Sequence, residues 1–222
     1  MSRIVIKLGG AVAHGAAEYV LEQAGRGHEV CVVHGAGPQI SAEMARRGIE
    51  VAFVDGRRVT TPEALEVVRE ALAQVNRELA EAIGASAVAL MGDEIGLVAD
   101  QVPELGRVGN PLPSAPAEVV EALSAGRIPV VAPLASGPLN VNADEAAAML
   151  AVGIGADRLH FLTDVPGLLQ GGETVLSIQV DEAEALLASG ELGGGIIPKL
   201  TAAVHAARNG VMAEIGETAV VA

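Results

Sequence analysis

A chain of 222 residues fits one large α/β domain or two small lobes, and it is long enough to bury most of its potential core. A formal net charge of −14 opposes nucleic acid or an anionic membrane as partner, because both recruit Lys and Arg to neutralise phosphate, so a small ligand is expected instead. Half the residues are hydrophobic, yet the longest fully apolar run, residues 146–156, falls well short of the roughly 20 that a membrane span needs.

The first strand is expected at once, at residues 4–7, which leaves no room for a signal peptide and implies a cytoplasmic protein. After a helical pattern at 16–24, a second strand at 29–33 contains the single Cys31, which reads as a small buried hydrophobe without an internal disulfide partner. Residues 39–47 suggest another helix. From 62 to 83, Leu65, Val68, Leu72, Val75, Leu79 and Ile83 recur at spacings of three and four, the mark of an amphipathic helix, with Thr60 and Glu63 as a capping box and Gly84 as a stop. Further strands are expected at 87–91, 128–132 and 158–162, and helices at 117–124, 144–152, 182–188 and 198–208. Alternation at Leu97-Val98-Ala99 and Arg107-Val108, broken by Pro103 and Gly106, predicts a β-hairpin between 92 and 109. A second hairpin is expected over 168–180, turning at Gly171-Gly172, and the tail at 211–221 reads as two strands joined directly.

Alternating β-rich and helical runs predict an α/β fold: a three-layer α/β/α sandwich around a mainly parallel sheet. Pro133-Leu134-Ala135-Ser136-Gly137-Pro138 is the expected hinge between two lobes of one domain, about 1–137 and 138–222.

Three glycine-bearing loops stand where strands end or helices begin: Lys7-Leu8-Gly9-Gly10, His34-Gly35-Ala36-Gly37-Pro38 and Gly193-Gly194-Gly195-Ile196-Ile197-Pro198-Lys199. Glycine lets backbone N–H groups approach an oxyanion, and a helix amino terminus adds unpaired donors. Together, with a Lys in two of them, they favour phosphate binding over tight turns alone. A dinucleotide site fits less well, because Ile40 stands where the third glycine of that fingerprint belongs, and no Gly-x-x-x-x-Gly-Lys-Ser/Thr loop is present. His34, alone in a strand-end loop, reads as structural.

The chain resembles the acetylglutamate kinases of the amino acid kinase family. The resemblance rests on Lys7-Leu8-Gly9-Gly10, Val33-His34-Gly35-Ala36-Gly37-Pro38, Asp55-Gly56-Arg57-Arg58-Val59-Thr60, Asn140-Val141-Asn142-Ala143-Asp144, Leu162-Thr163-Asp164-Val165-Pro166-Gly167 and Gly195-Ile196-Ile197-Pro198-Lys199, in order from residue 3 to about 211. It implies transfer of the ATP γ-phosphoryl group to the γ-carboxylate of N-acetyl-L-glutamate, an early step of arginine synthesis. In that light Lys7 and Lys199 are the cations flanking the transferring group, and Asp144 organises them by ion pairing. Ala36 and Gly37 contact the substrate, Arg58 pairs with its α-carboxylate and Asn140 hydrogen-bonds the acyl amino acid. Gly9 and Gly10 approach the ATP phosphates. Thr163, Asp164, Val165, Pro166, Gly167 and Leu168, with Glu191, Leu192 and Gly193, line the nucleotide pocket. Mg2+ is implied, held mostly by phosphates and water with no protein ligand named. Arg57 reads as surface. A homodimer through a sheet edge or the long helix is expected.

The chain departs from the family where three successive glycines are usual and it has Gly35-Ala36-Gly37, and in its shortened tail. Lacking an amino-terminal extension, it is expected to be insensitive to arginine. The alternatives are a kinase for a related acyl acid, such as a carrier-linked aminoadipate or glutamate, and a non-catalytic binding relative; the joint presence of Lys7, Asp144 and Lys199 speaks against the latter.

Overall fold

In the computed structural model, which describes residues 1–9, 15–163 and 165–222, strands and helices alternate from the start. The chain opens with β1 (Arg3–Leu8), α1 (Ala16–Gly25), β2 (Glu29–His34) and α2 (Gly37–Arg46). The short β3 (Phe53–Val54) and β4 (Arg57–Arg58) precede the long α3 (Pro62–Ile83) and β5 (Ala87–Met91). Next come β6 (Ala99–Gln101), a 3-10 turn at Pro103–Leu105, β7 (Val108–Pro111), α4 (Ala117–Ser124), β8 (Ile128–Ala132), β9 (Leu134–Ala135) and β10 (Leu139–Val141). The carboxyl-terminal part holds α5 (Ala143–Gly153), β11 (Arg158–Leu162), β12 (Leu169–Gln170), β13 (Glu173–Thr174), β14 (Ser177–Gln179), α6 (Val180–Ser189), α7 (Ile196–Arg208), β15 (Met212–Ile215) and β16 (Thr218–Val221).

Eight strands form the central sheet in the order β14-β16-β15-β11-β1-β2-β8-β5, parallel throughout except for the β15–β16 hairpin. Its middle strands β1, β2 and β8 are buried on both faces, which is why they read as continuous apolar runs with no alternation. On one face Val5, Cys31, Val33, Val131, Leu159, Phe161 and Ile215 pack with residues of α4, α5, α6 and α7. The small residues Ala147, Ala148 and Ala151 of α5 and Ala203 and Ala206 of α7 bring those helices close together and to the sheet. Ile4, Ile6, Val30, Val32 and Val130 point the other way, against α1 and the end of α3. The three-layer α/β/α expectation therefore holds.

Local details differ from the sequence reading, each for a physical reason. Thr61 rather than Thr60 caps α3, accepting a hydrogen bond from the Ala64 N–H at 3.1 Å, because Pro62 occupies the first helical position and fixes the cap one residue earlier. The segment 53–58 is a hairpin: Phe53 pairs with Arg58 and Val54 with Arg57 around Asp55 (φ 48°) and Gly56 (φ 75°), the left-handed pair of a two-residue turn. The flap at 92–109 does contain antiparallel β6 and β7, but Leu97 and Val98 lie outside both strands, and the pair joins a second sheet in the order β6-β7-β10-β9. Leu134 and Ala135, within the expected hinge, are wholly buried as β9 of that sheet. The second hairpin is short, β12 with β13, whereas β14 leaves it to pair with β16 in the main sheet. Helix α7 begins at Ile196, so Pro198 sits in its first turn, where a missing N–H forfeits no intrahelical bond. Among the described residues no helix is long and apolar enough to cross a membrane.

Candidate functional site

Strand β1 delivers Lys7 into the interior at the carboxyl end of the sheet, level with Val33 of β2 and Phe161 of β11. A Lys there is only 6% exposed, so its ammonium needs a partner, and the first turn of α5 supplies one. Asp144 Oδ1 lies 2.7 Å from Lys7 Nζ, and Asp144 Oδ2 lies 3.9 Å from Lys199 Nζ. Lys199 comes from the first turn of α7 and also donates to the Gly195 carbonyl at 3.2 Å. Residues far apart in the chain thus form one Lys–Asp–Lys cluster, two cations about a single carboxylate. Asn142 caps α5, its Oδ1 accepting from the N–H groups of Asp144 (2.8 Å) and Glu145 (3.2 Å), and so fixes the turn that presents Asp144.

A cavity of about 290 Å³ opens beside the cluster, bounded by Lys7, Gly9, the start of α2, the β3–β4 hairpin, Asn140 and Lys199. Helix α2 has no side-chain cap, and Pro38 in its first turn carries no N–H, so the Gly37 N–H is the group its amino terminus offers beside the cavity. Arg58 is 7% exposed; its Nη2 donates to Ser41 Oγ at 2.8 Å and to the Gly37 carbonyl at 3.3 Å, and its guanidinium lies 4.7 Å from the Phe53 ring centroid. Burial pushes its pKa down, and among the described residues no ion pair balances its charge. A buried cation facing a cavity without an acid beside it is suited to an anion from outside. Asn140 Nδ2 donates to Thr60 Oγ1 at 3.0 Å, and that hydroxyl donates to the Arg58 carbonyl at 2.7 Å, tying β10 to the hairpin.

The second cavity, about 510 Å³, is bounded by Thr163, Val165, Pro166, Gly167, Leu168, Glu191, Leu192, Gly193 and Gly195, and shares Lys199 with the first. Among the described residues its walls contain no aromatic side chain. Gly167 (φ 151°) is held so close that a Cβ there would lie 2.4 Å from Thr218 Oγ1, while Thr218 also accepts from the Leu168 N–H at 2.8 Å. The expected site residues Lys7, Gly9, Ala36, Gly37, Arg58, Asn140, Asp144, Thr163, Val165, Pro166, Gly167, Leu168, Glu191, Leu192, Gly193 and Lys199 all line one or other of these two cavities. Gly10 and Asp164 lie outside the described residues.

Arg57, expected at the surface, instead binds Glu145 of α5 with its Nη2 2.9 Å from Oε2, and it borders the first cavity. Asn142 was present in the quoted motifs without a role and Thr60 only as an expected helix cap, and the folded arrangement shows what they hold. His34 is buried and its pKa is lowered to about 4, chiefly by burial, so it stays a neutral ring at neutral pH. Burial likewise raises the Cys31 thiol to about 12. Among the described residues no group of three His, Cys, Asp or Glu side chains is arranged to hold a metal, and Asp144, the acid of the Lys–Asp–Lys cluster, is engaged by Lys7.

Comparison with known proteins matches residues 2–215 to the amino acid kinase family. An acetylglutamate kinase of Rubrobacter xylanophilus is 44% identical over 97% of this chain and 88% of its own length. Another acetylglutamate kinase, from Paracoccus denitrificans, is 39% identical over 96% of this chain and 76% of its own. Among solved structures, smu.665 of Streptococcus mutans UA159 superposes with a TM-score of 0.90 at 27% identity, covering 99% of this chain and 98% of that one.

Proposed function

The chain belongs to the amino acid kinase family, and from that premise we propose that it transfers the γ-phosphoryl group of ATP to the γ-carboxylate of N-acetyl-L-glutamate, in the service of arginine synthesis. The relatives that carry this activity in their names span most of the chain. The observation that carries the reading is the Lys7–Asp144–Lys199 cluster, whose Lys199 lines both cavities, with Arg58 on the acid side as a buried cation that has no ion-pair partner among the described residues.

The acceptor carboxylate has an ordinary pKa of about 4.3 and is already ionised near neutral pH, so no general base is needed. One of its oxygens attacks the γ-phosphorus, the bond from that phosphorus to the β–γ bridging oxygen breaks, and ADP leaves with the bonding pair. Two anions must meet in line, so the work of the protein is to position them and to oppose their charge. In this reading Arg58 grips the α-carboxylate of the acid as a planar fork and Asn140 orients the acyl amide. The backbone N–H groups of Ala36 and Gly37, at the start of α2, receive the acceptor and γ-phosphoryl oxygens. Lys7 and Lys199 flank the transferring group, and Asp144 keeps the two ammonium groups apart from one another and aimed at it. Gly9 lies along the phosphates, while Thr163, Val165, Pro166, Gly167, Leu168, Glu191, Leu192 and Gly193 surround the nucleoside. Mg2+ enters with the nucleotide, held by its phosphates and by water.

The test is direct: ATP, Mg2+ and N-acetyl-L-glutamate with hydroxylamine should yield the hydroxamate of the trapped acyl phosphate. Normal ATP binding without product from any acyl amino acid would count for a binding protein instead. ATP as phosphoryl donor agrees with a cytoplasmic location, which we propose as well. A homodimer is proposed on the half-exposed edge strand β5, to be checked by light scattering.

A further inference from the structure

We propose that Arg57 and Glu145 are positioning residues, a paired fastener that holds the β3–β4 hairpin over the acid-binding cavity by tying it to α5. Neighbouring residues of a strand point to opposite sides, and here the two successive arginines of β4 divide the labour. Arg58 turns toward Ser41 and Gly37 of α2. Arg57, which lines the cavity, turns to Glu145 of α5: its Nε lies 3.2 Å from Oε1, and its Nη2 lies 3.0 Å from Oε1 and 2.9 Å from Oε2. The contact is thus a two-pronged fork on one carboxylate, and Nη1 also donates to Asn110 Oδ1 of β7.

Three observations make this more than a surface ion pair. Arg58 and Thr60 hold the base of the hairpin, but its outer strand is lightly held, since each strand is two residues long and Phe53 and Val54 are 55% and 47% exposed. Glu145 is a rigid anchor, because its backbone N–H is capped by Asn142 in the same turn that presents Asp144. Arg57 and Arg58 are adjacent in β4, so where Arg57 is fastened fixes where Arg58 can stand in the cavity. The pair, with side chains 27% and 22% exposed, is accessible enough to break and re-form as the acid enters and leaves.

This inference rests on the acyl-acid reading of the cavity, and its consequence is a selective one. Asp144 keeps its own contacts with Lys7 and Asn142, so loss of the fastener weakens retention of the acid and leaves the transfer step and nucleotide affinity as they are. Arg57→Met and Glu145→Gln should each raise KM for N-acetyl-L-glutamate roughly fivefold, the scale of a well-formed, partly exposed ion pair. In both, kcat and KM for ATP should remain within about twofold, a split that general destabilisation does not produce. The double variant Arg57→Met/Glu145→Gln should be no worse than either single one, and the exchanged pair Arg57→Glu/Glu145→Arg should recover part of the affinity. Amide hydrogen exchange of residues 53–58, measured on the ligand-free full chain, should quicken in both single variants. A wild-type protein that makes product alongside variants with unchanged KM overturns the fastener alone. If the wild type makes no product, the exchange data decide: faster exchange keeps the fastener and removes the substrate assignment, and unchanged exchange removes both.

Discussion

Lys7 Nζ lies 2.7 Å from Asp144 Oδ1, and neither side chain is more than a tenth exposed. Removing one member of a buried pair leaves the other charge unmet, which costs more than the pair is worth as a pair. Asp144→Asn should therefore lower stability by about 3 kcal/mol and, because both lysines lose their common anchor, lower kcat on the order of 100-fold. KM for either substrate should change far less. Thermal melts and hydroxamate kinetics check both statements; a folded Asp144→Asn protein with kcat within fivefold of wild type would remove Asp144 from its organising role. Lys199→Ala, lacking the deeper burial of Lys7, should depress turnover with little loss of stability.

Arg58 separates function from stability. Its guanidinium is buried without an ion-pair partner among the described residues, and desolvation already lowers its pKa. Arg58→Met keeps the stem and removes the charge, so the ligand-free protein should melt no lower than wild type, while KM for the acid should rise roughly 100-fold through loss of a charge-assisted fork. A lower melting temperature together with unchanged KM would mean that Arg58 serves the fold.

Much of this site was legible in the sequence because its chemistry stands in places that physics makes conspicuous. A Lys closing an apolar strand, as Lys7 does, or a Lys in the first turn of a helix, as Lys199 is, has no ordinary structural reason to be there. The central strands were equally plain, since burial on both faces leaves unbroken apolar runs such as Val30-Cys31-Val32-Val33. The β3–β4 hairpin escaped notice although Asp55-Gly56 is a turn signal, because strands of two residues show no alternation. Arg57 and Glu145 are 88 positions apart and polar, so neither periodicity nor a local motif links them. Thr60 and Thr61 are alternatives for the same cap until tertiary structure claims one: Thr60 is fully buried between the Arg58 carbonyl and Asn140, which leaves Thr61 for the helix.

His34 sets an acid limit to stability. Its pKa falls from the ordinary 6.5 to about 4, first through burial, against a weaker upward effect of the Gly35 carbonyl, with the charge of Lys7 lowering it further. Between those pH values the unfolded chain binds a proton that the native one does not, so stability falls as pH drops from about 6.5 to about 4. The loss from this residue is about 3 kcal/mol over that window. His34→Gln should flatten that part of the curve, as read from urea midpoints at pH 7.5, 6, 5 and 4.5. Parallel curves for the two proteins would show that His34 is not the group responsible.

Ala36 stands where the family resemblance leads one to expect the middle of three glycines, and its methyl group raises the question of whether the oxyanion site is obstructed. Its φ of −140° is one that any L-residue adopts, so the backbone here makes no demand for glycine. The residue is 2% exposed, and it packs in a cluster with Ile40, Met44, Val68 and Leu72 beneath α2 and α3, so its side chain contributes to the core that supports the loop. Ala36→Gly should then remove one buried methyl and add backbone freedom to the unfolded chain, for a combined loss of about 1 kcal/mol. The N–H groups at the start of α2 stay in place, so kcat/KM for the acid should remain within about twofold. A tenfold gain in kcat/KM would instead mean that the methyl does crowd the transferring group, and that the start of α2 must be drawn nearer to the reacting oxygens than the packing of Ala36 indicates.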